Sequence, residues 1–169
     1  EAIARYGQAL SMAHQAENLP VLARTYNNLG NIHRYLGLLE KARDFAQRSL
    51  ELTQRLKLEL LRGVNRMLLG EVASLAGEFE AAAQHFAAAN EVFAALGAAD
   101  EQVECWIDQA ELCELEGKYL QAIAEATRAR DEAVRKQLKN HELRASLVLG
   151  RATLSGGDGS ERVPSVEHL

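Results

Sequence analysis

The sequence repeats at an interval of forty residues. Four series of mostly small or apolar residues carry this period: Gly37, Gly77, Gly117 and Gly157; Ala2, Ala42, Ala82 and Ala122; Gly30, Gly70, Ala110 and Gly150; and Leu29, Leu69 and Leu149. A fixed period between 20 and 50 residues is the signature of a solenoid, in which each unit buries its apolar face against its neighbours. The period therefore predicts an array of small repeats.

Each repeat is predicted to form two helices. In the first complete copy, Tyr26, Leu29 and Ile32 are spaced at helical intervals, and Gly37 follows as a residue able to end that helix. A second apolar series begins at Ala42. Gly30 inside the first helix costs about 1 kcal/mol of helix propensity, so we expect a neighbouring helix to approach closely there.

The repeated motif resembles the tetratricopeptide repeat. The motif consists of an aromatic residue, Leu-Gly, a large residue, a turn glycine and then Ala-x3-large-x2-small. In the first copy these positions are occupied by Tyr26, Leu29, Gly30, His33, Gly37, Ala42, Ala46 and Ser49. The second copy has Leu69, Gly70, Ala73, Gly77, Ala82, Phe86 and Ala89, and the third has Trp106, Ala110, Cys113, Gly117, Ala122, Ala126 and Ala129. Arg66 replaces the first aromatic residue of copy two, and the period is forty instead of thirty-four. Such repeats resemble those of Pins-type adaptors, kinesin light chains and MalT-like regulators.

The resemblance implies an all-α fold, a right-handed α-solenoid of antiparallel helix pairs with about eight helices. We predict a solenoid over residues 1–155, with a partial repeat at 1–17, complete repeats at about 20–57, 60–97 and 100–139, and a partial repeat at about 141–155. Residues 156–169 are predicted to be a tail or a stopped repeat, because Arg162 occupies the position of the packing alanine and Pro164 follows.

Composition and charge narrow the classes of function. A net charge of −5 argues against direct binding of nucleic acid. No apolar run is long enough to cross a bilayer, and no signal peptide opens the chain, so a cytoplasmic protein is predicted. The absence of an initiator methionine suggests a fragment or a processed product.

No catalytic constellation, cofactor motif or metal site is predicted, so we expect a protein that is not an enzyme. The histidines fit no metal-ligand spacing, and His33 occupies a packing position of the repeat. Cys105 and Cys113 would lie about 12 Å apart on one helix, too far for a disulfide, and they are interpreted as small buried residues.

By the same resemblance, the first helices line a concave groove that binds a protein or peptide. The predicted groove residues are Arg24, Asn27, Asn28, Asn31, Arg34, Tyr35, Met67, Leu68, Glu71, Asp108, Glu111, Glu114 and Arg151. Asn28 and Asn31 share a helix face and would hold a peptide backbone. Arg24 and Arg34 would bind a carboxylate of the ligand. The asparagines are equally explained as exposed polar positions.

Two further points stay open from sequence alone. The acidic stripe that includes Asp108, Glu111 and Glu114 would bind a basic partner, or it is a solvated face neutralised by Arg144 and Arg151. Self-association would use the exposed solenoid ends or the alanine-rich second helix of the middle repeat, although helix propensity also explains those alanines.

The predicted function is a non-enzymatic scaffold or adaptor that binds a peptide segment or helix in its groove. The alternative is a regulatory or sensor segment of a larger signalling protein, such as a MalT-like transcription regulator. In that case the groove would bind an effector or a neighbouring domain.

Overall fold

The computed structural model describes residues 2–157, which form eight α-helices and no strand. The helices are α1 Ala2–Gln15, α2 Leu19–Tyr35, α3 Leu39–Leu56, α4 Glu59–Leu75, α5 Phe79–Leu96, α6 Ala99–Leu115, α7 Tyr119–Lys136 and α8 Lys139–Gly157. Turns of two or three residues join them, and turns this short make neighbouring helices antiparallel. The predicted all-α class and the consecutive helix pairing of an α-solenoid are confirmed.

The chain divides into two compact units. One comprises Glu1–Cys105, and within it α2 packs on α3, α3 on α4 and α4 on α5. The other comprises Trp106–Leu169, and within it α7 packs on α8. Helix α8 extends to Gly157, so residues 156 and 157 are helical although sequence analysis assigned them to the tail. The rest of that predicted tail, with Arg162 and Pro164, lies outside the described residues.

One helix has a side-chain cap that is visible in the sequence. Asn18 precedes α2, and its side-chain oxygen accepts a hydrogen bond from the backbone N–H of Val21 at 3.2 Å. Pro20 lies in the first turn, where a missing N–H costs nothing. Helices α3, α4, α5 and α7 begin without a side-chain cap, so their stability depends on the packing of their apolar faces.

Glycines inside the first helices allow the second helices to approach closely. A Cβ atom added to Gly30 would lie 3.3 Å from the carbonyl oxygen of Ala42 on α3. On α4, the same addition to Gly70 would lie 2.7 Å from the ring of Phe86, and addition to Gly63 would lie 2.5 Å from the ring of Phe93. The close approach offsets the low helix propensity of these glycines.

The turns place a residue in the left-handed conformation about every twenty residues. The predicted turn glycines have φ of 70° at Gly37, 78° at Gly77 and 73° at Gly117. A second series separates consecutive repeats and consists of Glu17, Lys57, Gly97 and Gln137, with φ between 49° and 64°. This second series was not predicted from the sequence, because only one of its members is glycine.

We predict that removing a glycine from the second series destabilises the fold and that introducing one stabilises it. Gly97→Ala should lower the free energy of unfolding by about 1 kcal/mol, because a left-handed conformation brings Cβ close to the following carbonyl oxygen. Gln137→Gly should raise it by roughly 0.5 kcal/mol, after the greater chain entropy of glycine is subtracted.

Urea unfolding followed by circular dichroism measures both changes. Gln137→Ala is the matched control and should alter stability little, since it exchanges one residue with a Cβ atom for another. A Gln137→Gly variant less stable than the control would contradict the prediction.

Candidate functional site

A groove of about 610 Å³ opens between α2 and α4 in the first compact unit. We call it the α2–α4 groove, and its lining residues are Arg24, Asn27, Asn28, Lys57, Leu58, Glu59, Leu60, Leu61, Val64 and Leu96. Leu60 and Leu96 are exposed, whereas Leu58, Leu61 and Val64 are half-buried. The groove therefore combines an apolar surface with a few polar groups, as ligand sites commonly do.

Arg24 and Asn28 form the polar side of the α2–α4 groove. They are four residues apart on α2, so they share one face of the helix. Both side chains are exposed, and neither has a hydrogen-bond or ion-pair partner among the residues that the structure describes. A guanidinium and an amide are thus available to a ligand beside exposed leucines.

Two of the predicted groove residues, Asn27 and Leu68, are largely buried. Asn27 donates a hydrogen bond from its side chain to the side-chain oxygen of Asn65 on α4 at 3.0 Å, and Asn65 is fully buried. Leu68 is 2% exposed and packs in the core with Ala46 and Val72. These contacts leave little of either side chain for a ligand, although Asn27 still lines the α2–α4 groove, and their role in ligand binding stays a prediction. Met67, beside Leu68, is half-buried.

Arg34 lies in a separate cluster, further along α2. Its Nε atom is 3.0 Å from a carboxylate oxygen of Glu71 on α4, and its guanidinium lies 4.3 Å from the ring centroid of the exposed Tyr35. Asn31 contacts the same guanidinium at 3.5 Å, the limit of a hydrogen bond. Glu71 already neutralises the charge of Arg34, so this contact does not favour the prediction that Arg34 binds a ligand carboxylate, which stays a prediction.

The acidic stripe of the second compact unit is neutralised in the same way. Arg151 on α8 lies 2.9 Å from Glu114 and 3.6 Å from Glu111, and the hydrogen bonds that it donates to Glu114 raise the pKa of the Arg151 guanidinium. Arg144 lies 3.4 Å from Asp108, whose side chain is buried. Of the two interpretations left open above, these contacts favour the neutralised face over a surface for a basic partner.

The two compact units contain the same ion pair with its charges exchanged. Arg34 and Glu71 are thirty-seven residues apart, and so are Glu114 and Arg151. With a period of forty, the members of one pair stand at the same repeat positions as the members of the other. Opposite charges thirty-seven residues apart were a signal in the sequence for the pair Arg34–Glu71, which was not predicted, whereas neutralisation of the acidic stripe by Arg151 was one of the two interpretations.

The environments of His33, Cys105 and Cys113 indicate structural roles for these side chains. His33 is buried, its Nδ1 lies 2.8 Å from the carbonyl oxygen of Leu29, and its ring centroid lies 5.0 Å from that of Phe45. Cys105 is buried, and burial raises the pKa of the half-buried Cys113 thiol, which lowers its reactivity. Over the described part of the chain, no three histidine, cysteine or acidic side chains are grouped so as to hold a metal ion.

We predict that the pair Arg34–Glu71 tolerates an exchange of its charges. Arg34→Glu and Glu71→Arg should each lower the free energy of unfolding by about 1 kcal/mol, because like charges then meet at a partly buried position. The double variant should recover most of the loss, since it copies the arrangement of Glu114 and Arg151. Urea unfolding at low and high salt measures the coupling free energy between the two side chains. A double variant whose loss of stability equals the sum of the two single losses would refute the prediction.

His85 on α5 should make stability depend on pH. Burial, followed by the charges of Arg66 and Arg43, lowers the pKa of His85 below 6.5, and Arg66 lies 3.4 Å from its Nδ1. The unfolded chain therefore binds a proton more readily than the folded chain as the pH falls. His85 accordingly favours the fold most above about pH 6.5, and this contribution is lost at lower pH.

The expected result is a steeper loss of stability for the wild type than for His85→Gln between about pH 7.5 and 5.5. Thermal unfolding at fixed ionic strength measures it, and glutamine retains a polar side chain of similar size. Parallel curves of stability against pH for the two proteins would show that His85 does not contribute to the pH dependence of stability.

The comparisons with known proteins agree with this architecture. The family model described as tetratricopeptide repeat matches residues 1–55, which contain α1, α2 and most of α3. None of the curated proteins matches the chain. None of the described helices has the length and apolar character needed to cross a membrane. Together with the forty-residue motif and the consecutive helix pairs, this match supports the tetratricopeptide repeat superfamily.

Proposed function

We propose that the chain is a non-enzymatic adaptor or scaffold that binds a peptide segment of another protein in the α2–α4 groove. Tetratricopeptide repeats generally mediate protein–protein interaction, and the combination of apolar and polar lining in the α2–α4 groove supports the proposal. The observation that carries the proposal is the exposed Arg24, without a partner among the described residues, beside the exposed Leu60 and Leu96. We further predict a cytoplasmic location.

The groove's chemistry specifies the ligand. Exposed leucines beside half-buried apolar residues favour a segment that inserts a large apolar side chain. Arg24 would donate hydrogen bonds to a carboxylate of that segment, and Asn28 would pair with its backbone. Arg34 contributes little to the ligand, because it is paired with Glu71. The proposed ligand therefore carries an acidic group close to its apolar anchor.

The test compares three proteins in affinity capture from the source cell. Arg24→Glu/Asn28→Ala removes both polar contacts, and Lys41→Glu makes the same change of charge at an exposed position on α3 outside the groove. A partner captured by the wild type and by Lys41→Glu, but not by the double variant, supports binding in the α2–α4 groove. Circular dichroism first establishes that all three proteins fold alike.

Calorimetry with the captured partner's segment then measures how much each substitution weakens binding. Loss of a charge-assisted contact should weaken binding by roughly 10-fold to 100-fold. Leu60→Ser should weaken it as well, because the apolar anchor loses its contact surface. Equal affinity of the wild type and the double variant would refute the proposal that the ligand binds in the α2–α4 groove. Capture of no partner by any of them would favour the alternative, a regulatory segment of a larger protein.

A further inference from the structure

Two of the three complete repeats bury an aromatic ring beneath an arginine. Tyr26 on α2 and Trp106 on α6 are both buried and stand at equivalent positions of their repeats. The guanidinium of Arg48 lies 6.0 Å from the ring centroid of Tyr26. The guanidinium of Arg128, at the equivalent position of its repeat, lies 3.8 Å from the ring centroid of Trp106. The two repeats therefore share an arrangement in which a cation covers a ring.

The middle repeat differs at both positions. Arg66 on α4 replaces the aromatic ring, and Ala88 on α5 replaces the arginine. Both residues are half-buried. The register thus puts a methyl group where the other two repeats have a guanidinium. This substitution leaves space beside Arg66 for a group of about the size of a guanidinium.

Arg66 has no carboxylate partner among the described residues. Its Nε atom is buried without a hydrogen-bond partner, and its Nη1 atom lies 3.4 Å from Nδ1 of His85 on α5. Arg43 on α3, whose charge also acts on His85, already donates two hydrogen bonds of 2.8 Å to the carboxylate of Glu78. A half-buried charge is costly unless a counterion compensates it. The described part of the chain supplies no such counterion to Arg66.

We propose that Arg66 and His85 bind a small, doubly charged oxyanion of the phosphate class, as a free ion or as the terminal group of an organic phosphate. We call Arg66, His85 and Ala88 the α4–α5 anion site. The anion lies beside Ala88 and accepts charge-assisted hydrogen bonds from the Arg66 guanidinium and from protonated His85. Two negative charges balance the guanidinium and the imidazolium, whereas a single carboxylate balances only one of them.

His85 makes this binding depend on pH. The charged groups that act on its ring are Arg66 from α4 and Arg43 from α3, of which Arg43 is paired with Glu78. Burial, followed by these two positive charges, lowers the pKa of His85, so its ring is mostly neutral near pH 7 in the free protein. A bound anion offsets the positive charges and favours the imidazolium. The affinity for the anion should therefore rise as the pH falls from about 7.5 to 5.5.

The test titrates the full chain with sulfate, inorganic phosphate and phenyl phosphate at constant ionic strength. The readout is the NMR signal of the His85 ring, which is assigned by its absence from His85→Gln. Sulfate keeps both charges over this pH range, so a pH-dependent affinity for sulfate reports on the protein alone. We expect a saturable shift with sulfate and a higher affinity at lower pH.

The three probes also separate the possible ligands. Binding of phenyl phosphate at least as tight as that of phosphate supports an organic phosphate, whereas binding of the inorganic ions alone supports a free ion. The absence of a saturable shift with all three probes overturns the proposal. An affinity for sulfate that does not change with pH overturns the part assigned to His85.

A substitution at Ala88 tests the position of the anion. Ala88→Leu fills the space beside Arg66 without changing the charge, and it should weaken sulfate binding about 10-fold. Ala87→Leu is the matched control at the neighbouring exposed position and should bind sulfate like the wild type. Leucine has a high helix propensity, so both variants should fold. Equal affinity of the two variants overturns the proposal.

Substitutions of arginine test the charge. Arg66→Gln should weaken sulfate binding by roughly 10-fold to 100-fold, because a charge-assisted contact is lost. Arg55→Gln makes the same change of charge at an exposed position of α3 and should bind sulfate like the wild type. Equal affinity of these two variants overturns the proposal.

The α4–α5 anion site is separate from the site of the proposed peptide binding, since none of its residues lines the α2–α4 groove. Arg24→Glu, which lies in that groove, should bind sulfate like the wild type. Arg66→Gln should in turn retain any partner captured through the groove. Failure of this proposal is therefore distinguishable from failure of the proposed peptide binding.

Discussion

The close contact between the first and second helices of a repeat is the constraint on which the other features depend. The Leu68 side chain and backbone atoms of α3 occupy the space that a side chain at Gly30 would fill, and the Phe86 ring occupies the corresponding space at Gly70. This contact determines the register of the helix pair, and the register determines which residues of the first helix remain exposed. Arg24 and Asn28 are exposed for this reason, whereas Asn27 between them turns toward Asn65.

The periodic positions made the fold predictable from sequence. Glycines at intervals of forty predicted the turns after the first helices, and the left-handed φ of Gly37 and Gly77 agrees with that prediction. The turns at Lys57 and Gln137 were not predictable in this way, because geometry imposes a left-handed conformation on residues that do not prefer it. Short connections leave the backbone no other path between antiparallel helices.

The candidate site was less predictable, because it depends on which side chains already have partners. Arg24 and Arg34 look alike in the sequence, yet Glu71 neutralises Arg34 and no described residue pairs with Arg24. That distinction arises from a residue thirty-seven positions away on another helix. The predicted groove residues also omitted Leu60 and Leu96, since these leucines lie near the ends of α4 and α5 and enter the groove only through the packing of the helices.

The exchanged ion pairs distinguish repeats that are otherwise alike in their packing residues. Tandem duplication of the first repeat would place one Arg34 opposite a second Asn31 in place of Glu71. That product would keep its helical packing but contain one additional arginine without a matched carboxylate. The pair Arg34–Glu71 therefore distinguishes the first repeat from the one that follows it, so copying the first repeat introduces an unmatched charge at the new junction.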